Sequence, residues 1–170
     1  VTGAAGFIGR RVMAQLADAG LRVWAVDRLS APKDLPTTVE YRRAELGEGL
    51  GWLPETASVG FTLVHLAWNM DRADAAGQSS SAANFLRILE TLSSRGLRAV
   101  VGMGSAEEYG EQEGQLREDM APGIRLSAYG RAKHEACQAL SAWARRTGRK
   151  AVWLRPFVVY GPGQGGDMAV

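Results

Sequence analysis

The chain has few residues of the types that build disulfides and metal sites. One cysteine, Cys137, and two histidines, His65 and His134, occur among its 170 residues. One cysteine cannot form a disulfide within the chain, and two histidines far apart in sequence do not indicate a metal site. No apolar run approaches the roughly 18 residues of a membrane-spanning helix, and no secretory signal opens the chain. These absences predict a soluble, cytoplasmic protein without metal or membrane partners.

Charge of one sign is not in excess either. Twenty basic against eighteen acidic residues leave a formal charge of +2, which is too balanced to indicate a nucleic-acid-binding surface. The hydrophobic content of 46% and the mean hydropathy of -0.14 are typical of a chain that buries a core. The length corresponds to about one domain.

Short β-rich runs alternate with longer helical patterns, as in βαβ units. Most of the candidate strands are continuous apolar runs, as buried parallel strands require; they cover residues 21–26, 39–42, 61–66, 99–103 and 151–154. The candidate helices cover residues 7–19, 80–94 and 128–146, and a glycine follows each one. The pattern predicts an α/β fold with a doubly wound parallel sheet, the Rossmann fold. Because only Val1 precedes Thr2 where a first strand belongs, we expect a longer natural protein.

The opening TGAAGFIG spaces Gly3, Gly6 and Gly9 between a strand position and the first helix. A tight turn needs positive φ, a pyrophosphate needs backbone approach without a Cβ, and a helix packed closely on a strand needs a small residue. The N–H groups at the helix N-terminus are suited to phosphates. The spacing therefore indicates a dinucleotide site, with a purely structural turn as the alternative.

Asp27 follows the next strand, where a carboxylate can accept hydrogen bonds from the adenosine ribose hydroxyls. The same carboxylate would repel a 2′-phosphate, which favours NAD over NADP, although the adjacent Arg28 could weaken this preference. The alternative is that Asp27 only begins the following loop.

Tyr129 and Lys133 are four residues apart in SAYGRAKHEA and so share one face of the third helix. The strand before them leads into GMGSAEEYG, which brings Ser105 to the sheet edge where α/β proteins bind ligands. An ammonium about 4 Å from a phenol contributes about 4 kcal/mol at an effective dielectric near 20, or roughly three pKa units. Lys133 could thus make a Tyr129 phenolate accessible, and Ser105 could hold a substrate oxygen beside this general base. The alternative is an interfacial tyrosine with a solvated lysine.

Six motifs in order resemble the extended short-chain dehydrogenase/reductase family. Within it they are similar to the NAD-dependent epimerase/dehydratase branch, which acts on nucleotide sugars; the motifs are TGAAGFIG, Asp27, HLAW at 65–68, SAEEYG at 105–110, YGRAK at 129–133 and LRPFVVYGPGQ at 154–164. The resemblance implies an NAD cofactor, a nucleotide-sugar substrate, a homodimer and a C-terminal substrate domain that this chain lacks. Residues 1–170 would then be the NAD-binding domain.

The resemblance also implies site residues. Ser105, Tyr129 and Lys133 would be the catalytic set. The implied cofactor-binding residues are Gly3, Gly6, Phe7, Ile8, Gly9, Asp27, Arg28, Glu45, Leu46, Leu66, Ala67, Tyr129, Lys133 and Pro156. Trp68 departs from the family's HxAA pattern, because it replaces a small residue, and this predicts an altered local pocket.

The reaction depends on the groups next to Ser105. Dehydratases and some decarboxylases carry a glutamate, here Glu107, beside an acidic or hydroxyl residue, but Ala106 cannot protonate a departing hydroxyl. An epimerase needs only rotation of the keto sugar and hydride return. We therefore expect an epimerase or 4-ketoreductase. The alternatives are a 4,6-dehydratase or decarboxylase, or a non-catalytic NAD-binding regulator, and Glu107 and Glu108 can also be read as solvated loop carboxylates.

For three further features the sequence predicts packing roles rather than catalytic ones. His65 is expected to be packed or hydrogen-bonded in the core, and Cys137 to be a small, inert, buried side chain. Small and apolar residues of two helices would suit a homodimer or could equally cover the sheet; they are Ala82, Phe85, Leu89, Ala132, Ala136 and Leu140.

Overall fold

The computed structural model describes residues 1–48 and 60–164. The helices and strands of this part are α1 Phe7–Asp18, β1 Val23–Asp27, β2 Val39–Arg43, β3 Phe61–His65, α2 Ala75–Ser93, β4 Leu97–Met103, α3 Ala128–Thr147 and β5 Lys150–Leu154. Short 3-10 turns follow β2 at Leu46–Glu48 and β4 at Ala106–Tyr109. Within the described residues, no helix is both long enough and apolar enough to cross a membrane.

Thr2 joins two sets of parallel strands into one sheet. β1 pairs with β2, and β3, β4 and β5 pair in that order. Thr2 makes parallel bridges to Val26 of β1 and His65 of β3, donates its N–H to the Val64 carbonyl at 3.0 Å and accepts the Leu66 N–H at 3.1 Å. The order across the sheet is therefore β2, β1, Thr2, β3, β4, β5, with the direction of winding reversing at Thr2.

The helices cover both faces of this sheet. On one face, Met13 of α1 packs with Val23 and Ala25. Residues of opposite parity in a strand face the other side, and Val26 accordingly belongs to the larger core formed with α2 and α3. That core comprises Val26, Leu63, Phe85, Ile88, Leu89, Leu92, Leu97, Val100, Ala136, Leu140 and Trp143. The predicted doubly wound Rossmann fold is confirmed.

One predicted boundary differs clearly from the structure. Helix α2 begins at Ala75, not at residue 80, while the other bounds agree within two residues. Asp74 caps the earlier start, because its carboxylate accepts the Gly77 N–H at 2.9 Å. The first turn carries small and polar residues, so hydrophobic periodicity does not reveal it.

The helix faces that would suit a homodimer are occupied within the chain. The residues concerned are all at most 8% exposed: Ala82, Phe85, Leu89, Ala132, Ala136 and Leu140. Helices α2 and α3 pack together, and the Trp143 indole N–H donates to the Ser93 hydroxyl at 2.8 Å. These faces are therefore buried within the chain, in line with the alternative that they cover the sheet. The homodimer itself stays a prediction.

His65 lies at the end of β3 and is 2% exposed. Its Nδ1 is 2.8 Å from the Thr2 hydroxyl, and its ring stacks on Phe85 with the centroids 4.6 Å apart. Burial, reinforced by the Lys133 charge, lowers the His65 pKa to about 3. The prediction of a packed, hydrogen-bonded histidine is confirmed.

We expect the free energy of unfolding to fall as the pH drops from about 6.5 towards 3. In this window the unfolded chain binds a proton at His65, whereas the folded chain does so only near pH 3, so protonation favours unfolding by up to about 1.4 kcal/mol per pH unit. His65→Gln removes this titration and should reduce the slope measured by urea unfolding at several pH values. An unchanged slope would contradict the assignment.

Candidate active site

The glycine loop between Thr2 and α1 is packed too closely for side chains. Gly3 has a φ of +69°, and a Cβ there would lie 2.6 Å from the Ala67 backbone nitrogen. A Cβ at Gly9 would overlap the Gly3 carbonyl oxygen and lie 2.8 Å from the Cα of Ala4. Gly6 is the N-cap of α1, and no side chain caps this end of the helix. The first N–H groups of α1 are thus left for an anion.

Asp27 connects this loop to the end of β1. Its carboxylate accepts the Ala5 N–H at 3.0 Å and the Leu29 N–H at 2.9 Å. Asp27 therefore does begin the following loop, as the alternative interpretation holds, and it also contacts the glycine loop. Each carboxylate oxygen keeps a lone pair that a ribose hydroxyl could use. Arg28 is exposed, and its carbonyl accepts a hydrogen bond from the Arg43 Nε at 3.0 Å.

The remaining residues implied for the cofactor follow the strands or begin α1. Phe7 and Ile8 open α1 and are half-buried; Glu45 and Leu46 follow β2, Leu66 and Ala67 follow β3, and Pro156 follows β5. The structure brings Leu66 and Ala67 against Gly3. The Pro156 carbonyl accepts the Ala106 N–H at 2.9 Å, beside Ser105.

Ser105, Tyr129 and Lys133 come together at the carboxyl end of β4. They are 9%, 6% and 2% exposed. The Lys133 ammonium donates to the Met103 carbonyl at 2.6 Å and lies 5.6 Å from the Tyr129 ring centroid. Gly130 lets the start of α3 lie close to the turn that follows β4, because a Cβ there would overlap the Glu107 carbonyl oxygen. The structure thus unites the three residues, while their catalytic roles stay predictions.

The electrostatics of Tyr129 differ from the expectation. Burial raises the pKa of the phenol; the Arg72 charge and a hydrogen bond with Ser105 lower it, the nearby carboxylates raise it, and the net shift is upward. Lys133 is itself buried, and burial lowers its pKa to about 7. The lowered tyrosine pKa predicted from the YxxxK spacing is therefore absent in this arrangement.

Arg72 is a site residue that sequence reasoning missed. Its guanidinium carbon is 5.1 Å from the Tyr129 ring centroid, and it forms an ion pair with Glu107 at 3.1 Å. Glu107 also accepts the Ser127 hydroxyl at 2.8 Å. Arg72 lies in a loop without periodicity or motif, so nothing local in the sequence identifies it.

Glu108 is not a solvated loop carboxylate. It is 2% exposed and accepts the Ser105 N–H at 2.8 Å, the Trp153 indole N–H at 2.9 Å and the Arg155 guanidinium at 2.9 Å. With Ser105 it forms a capping box. The S-x-x-E spacing of Ser105 and Glu108 is a known signature of that motif and could have revealed the contact.

The other reactive side chains show no separate site. Cys137 is half-buried rather than buried, with its sulfur 3.7 Å from the Arg155 guanidinium. Burial nevertheless raises the pKa of its thiol, which fits the expected inert side chain. Across residues 1–48 and 60–164, no group of three or more histidine, cysteine or acidic side chains is arranged to hold a metal ion.

Comparison with known proteins identifies the family of this chain. Residues 1–169 match the sequence model of the NAD dependent epimerase/dehydratase family. The chain belongs to the NAD-dependent epimerase/dehydratase family. It is 30% identical to a UDP-glucose 4-epimerase from Azospirillum brasilense, over 95% of this chain and 49% of that protein.

Solved structures agree with this membership of the epimerase/dehydratase family. MoeE5 in complex with UDP-glucose and NAD is 31% identical, with a TM-score of 0.82 over 98% of this chain and 56% of that one. A UDP-glucose 4-epimerase from Thermotoga maritima with UDP-glucose is 27% identical, with a TM-score of 0.80 over 96% of this chain and 56% of that one. The chain spans about half the length of these relatives.

In this epimerase/dehydratase family member, we expect Glu108→Gln to lower the free energy of unfolding by about 3 to 5 kcal/mol, because it leaves the Arg155 charge unpaired in a buried site. Glu107→Gln is the matched control. The Glu107 pair is much more exposed, at 61% and 34% against 16% and 1% for the Arg155 and Glu108 side chains, so its loss should cost at most about 1 kcal/mol. Equal losses in urea unfolding would refute the distinction.

Proposed function

We propose that this protein is an NAD-dependent nucleotide-sugar epimerase in which Tyr129 transfers the proton of a sugar hydroxyl. The observation that carries the proposal is the meeting of Tyr129, Ser105 and Lys133 at the carboxyl end of β4. These residues lie close to the glycine loop, because Gly3 packs on Ala67 and the next residue, Trp68, lies against Lys133. Relatives named as UDP-glucose 4-epimerases support a sugar linked to a nucleotide as the substrate class.

The residues around the glycine loop fit NAD. The close backbone packing at Gly3 and Gly9 and the uncapped N-terminus of α1 suit a pyrophosphate,. Asp27 lies beside the loop and suits the ribose hydroxyls, while its charge disfavours the 2′-phosphate of NADP. Bound NAD would supply the hydride acceptor and, when oxidised, a positive charge that lowers the Tyr129 pKa.

The chain's own side chains prepare Tyr129 for proton transfer. Since burial raises the pKa of Tyr129, the base form needs positive charge and hydrogen bonds around its oxygen. The Arg72 charge and the hydrogen bond with Ser105 lower this pKa. Ser105 can hold the reacting sugar oxygen near Tyr129. Lys133 can supply further charge and hold the ribose of the cofactor.

The groups beside Ser105 favour epimerisation over dehydration. Ala106 carries no acid, and the Glu107 carboxylate is already engaged by Arg72 and Ser127. Loss of a hydroxyl needs a proton donor close to the leaving group, whereas epimerisation needs no additional acid. Neither relative named as an epimerase is more than 30% identical, so the choice rests on these side chains.

We expect Tyr129→Phe to reduce kcat for interconversion of nucleotide sugars by about 10²- to 10⁴-fold, because it removes the general acid/base. The assay would supply the full-length protein with NAD and with UDP-, GDP- and dTDP-sugars, and would follow the sugar configuration by proton NMR. Ser94→Ala removes a hydroxyl from an exposed residue at the C-terminal end of α2, and should keep wild-type activity.

The outcomes of that assay separate the alternatives. Stoichiometric reduction of the supplied NAD to NADH would indicate a 4-ketoreductase running in the direction of sugar oxidation, and an unsaturated or deoxygenated product would indicate a dehydratase. Loss of carbon dioxide would indicate a decarboxylase. Unchanged sugars in both wild type and Tyr129→Phe would contradict the enzymatic function and favour an NAD-binding regulator.

Asp27→Asn should bring the dissociation constants for NAD and NADP about tenfold closer together, because it removes a repulsion of about 1.4 kcal/mol from the 2′-phosphate. Asp18→Asn makes the same change of charge at the opposite end of α1 and should leave the ratio unchanged. If titration calorimetry gives the same ratio for Asp27→Asn and wild type, the ribose assignment is wrong.

A further inference from the structure

Trp68 is the departure from the family pattern, and it lies directly against Lys133. The Lys133 Nζ is 3.8 Å from the centroid of the Trp68 ring, closer than the 5.6 Å that separates it from the Tyr129 ring. An ammonium within about 6 Å of an indole face is attracted by the ring quadrupole, more strongly when it is removed from water. Lys133 is only 2% exposed, so this contact is desolvated.

A buried amide holds the indole in this orientation. The Trp68 indole N–H donates to the Gln78 side-chain oxygen at 2.7 Å. The Gln78 amide nitrogen donates to the carbonyls of Asn69 at 3.1 Å and Asp71 at 2.7 Å. Gln78 is 1% exposed, and these bonds connect the ring to its own loop. The ring plane is therefore set independently of Lys133.

We propose that Trp68 is a positioning residue for Lys133, whose indole face keeps the amine cationic and beside Tyr129. The ring attracts only the protonated form, so it opposes the effect of burial on Lys133. Its catalytic consequence rests on the proposed function. The effect on Lys133 itself does not.

Among residues 1–48 and 60–164, few other groups face this amine. The Met103 carbonyl of β4 accepts a hydrogen bond from the amine. Burial lowers the pKa of Lys133 to about 7, although the Glu108 charge acts in the opposite direction. His65 of β3 interacts with it electrostatically and is neutral above about pH 3. On α3 itself, the Tyr129 ring is the neighbour. Arg72, in the same loop as Trp68, lies over the ring of Tyr129. Because Lys133 titrates near neutral pH, a modest stabilisation of its cation changes its charge where the enzyme would work.

Titration of Lys133 by NMR tests the proposal directly. The chain has three lysines, Lys33, Lys133 and Lys150, so ¹³Cε-lysine labelling gives three signals, which Lys133→Arg and Lys150→Arg assign. In the wild type, the Lys133 ε-protons should resonate upfield of the other two sets because of the indole ring current. This measurement needs no Trp68 variant, and equal shifts for all three lysines would overturn the proposal.

Two variants then separate the ring face from the hydrogen bond. Trp68→Phe and Trp68→Leu both remove the indole N–H and leave the Gln78 oxygen without its donor, but only phenylalanine keeps an aromatic face. We expect the Lys133 pKa to decrease from wild type to Trp68→Phe to Trp68→Leu, with the leucine variant about one unit below the phenylalanine variant. Identical titrations of the two variants would refute the role of the ring.

Activity supplies a separate measurement. If the cation of Lys133 assists Tyr129, lowering the Lys133 pKa should move the alkaline decline of kcat to lower pH in Trp68→Leu, with KM for the sugar unchanged. A purely structural defect would lower kcat equally at every pH and would contradict the proposal. If the wild type converts no nucleotide sugar, the proposed function fails, while the lysine titrations still decide the role of Trp68.

Discussion

The parallel hydrogen bonding of Thr2 to β1 on one side and β3 on the other organises the molecule. Because all the strands run in the same direction, their carboxyl ends meet at one edge of the sheet. The winding reverses at Thr2, and such a reversal is where open α/β sheets bind their ligands. The glycine loop, Asp27, Ser105 and the start of α3 all reach this edge, although they are far apart in the sequence.

Bringing polar groups to that edge also buries charge, which is costly unless each charge has partners. Glu108 accepts hydrogen bonds from the Ser105 backbone and from the Trp153 and Arg155 side chains, and thereby ties the backbone of Ser105 to the end of β5. Lys133 donates to the end of β4 and lies on the Trp68 ring. The same burial raises the pKa of Tyr129 and lowers that of Lys133. Burial therefore favours the neutral forms of both side chains, and positive charge near the Tyr129 oxygen would be needed to favour its phenolate.

The family of this chain and its proposed reaction rest on different kinds of evidence. The family and the fold follow from a match over nearly the whole chain. The proposal of epimerisation rests instead on individual side chains, namely Ala106, which carries no acid, and Glu107, which is engaged by Arg72 and Ser127. Trp68 shows how one departure from a family pattern can change the surroundings of a residue that is itself retained.

The sequence by itself determined the helices, the strands, the glycine loop and the sharing of one helix face by Tyr129 and Lys133. These features depend on periodicity and on residues close together in the chain. It also predicted the buried His65. It did not reveal the early start of α2, because a polar first turn lacks a hydrophobic period.

Only the tertiary structure decided the surroundings of the site. Glu108 meets Arg155 across 47 positions and Lys133 meets Met103 across 30. Arg72 reaches Tyr129 from a loop without any motif, and the faces expected to suit a homodimer are used by the core. Such contacts, and the pKa values that depend on them, arise from which segments pack together and how much water they exclude, and neither is encoded at any single spacing along the chain.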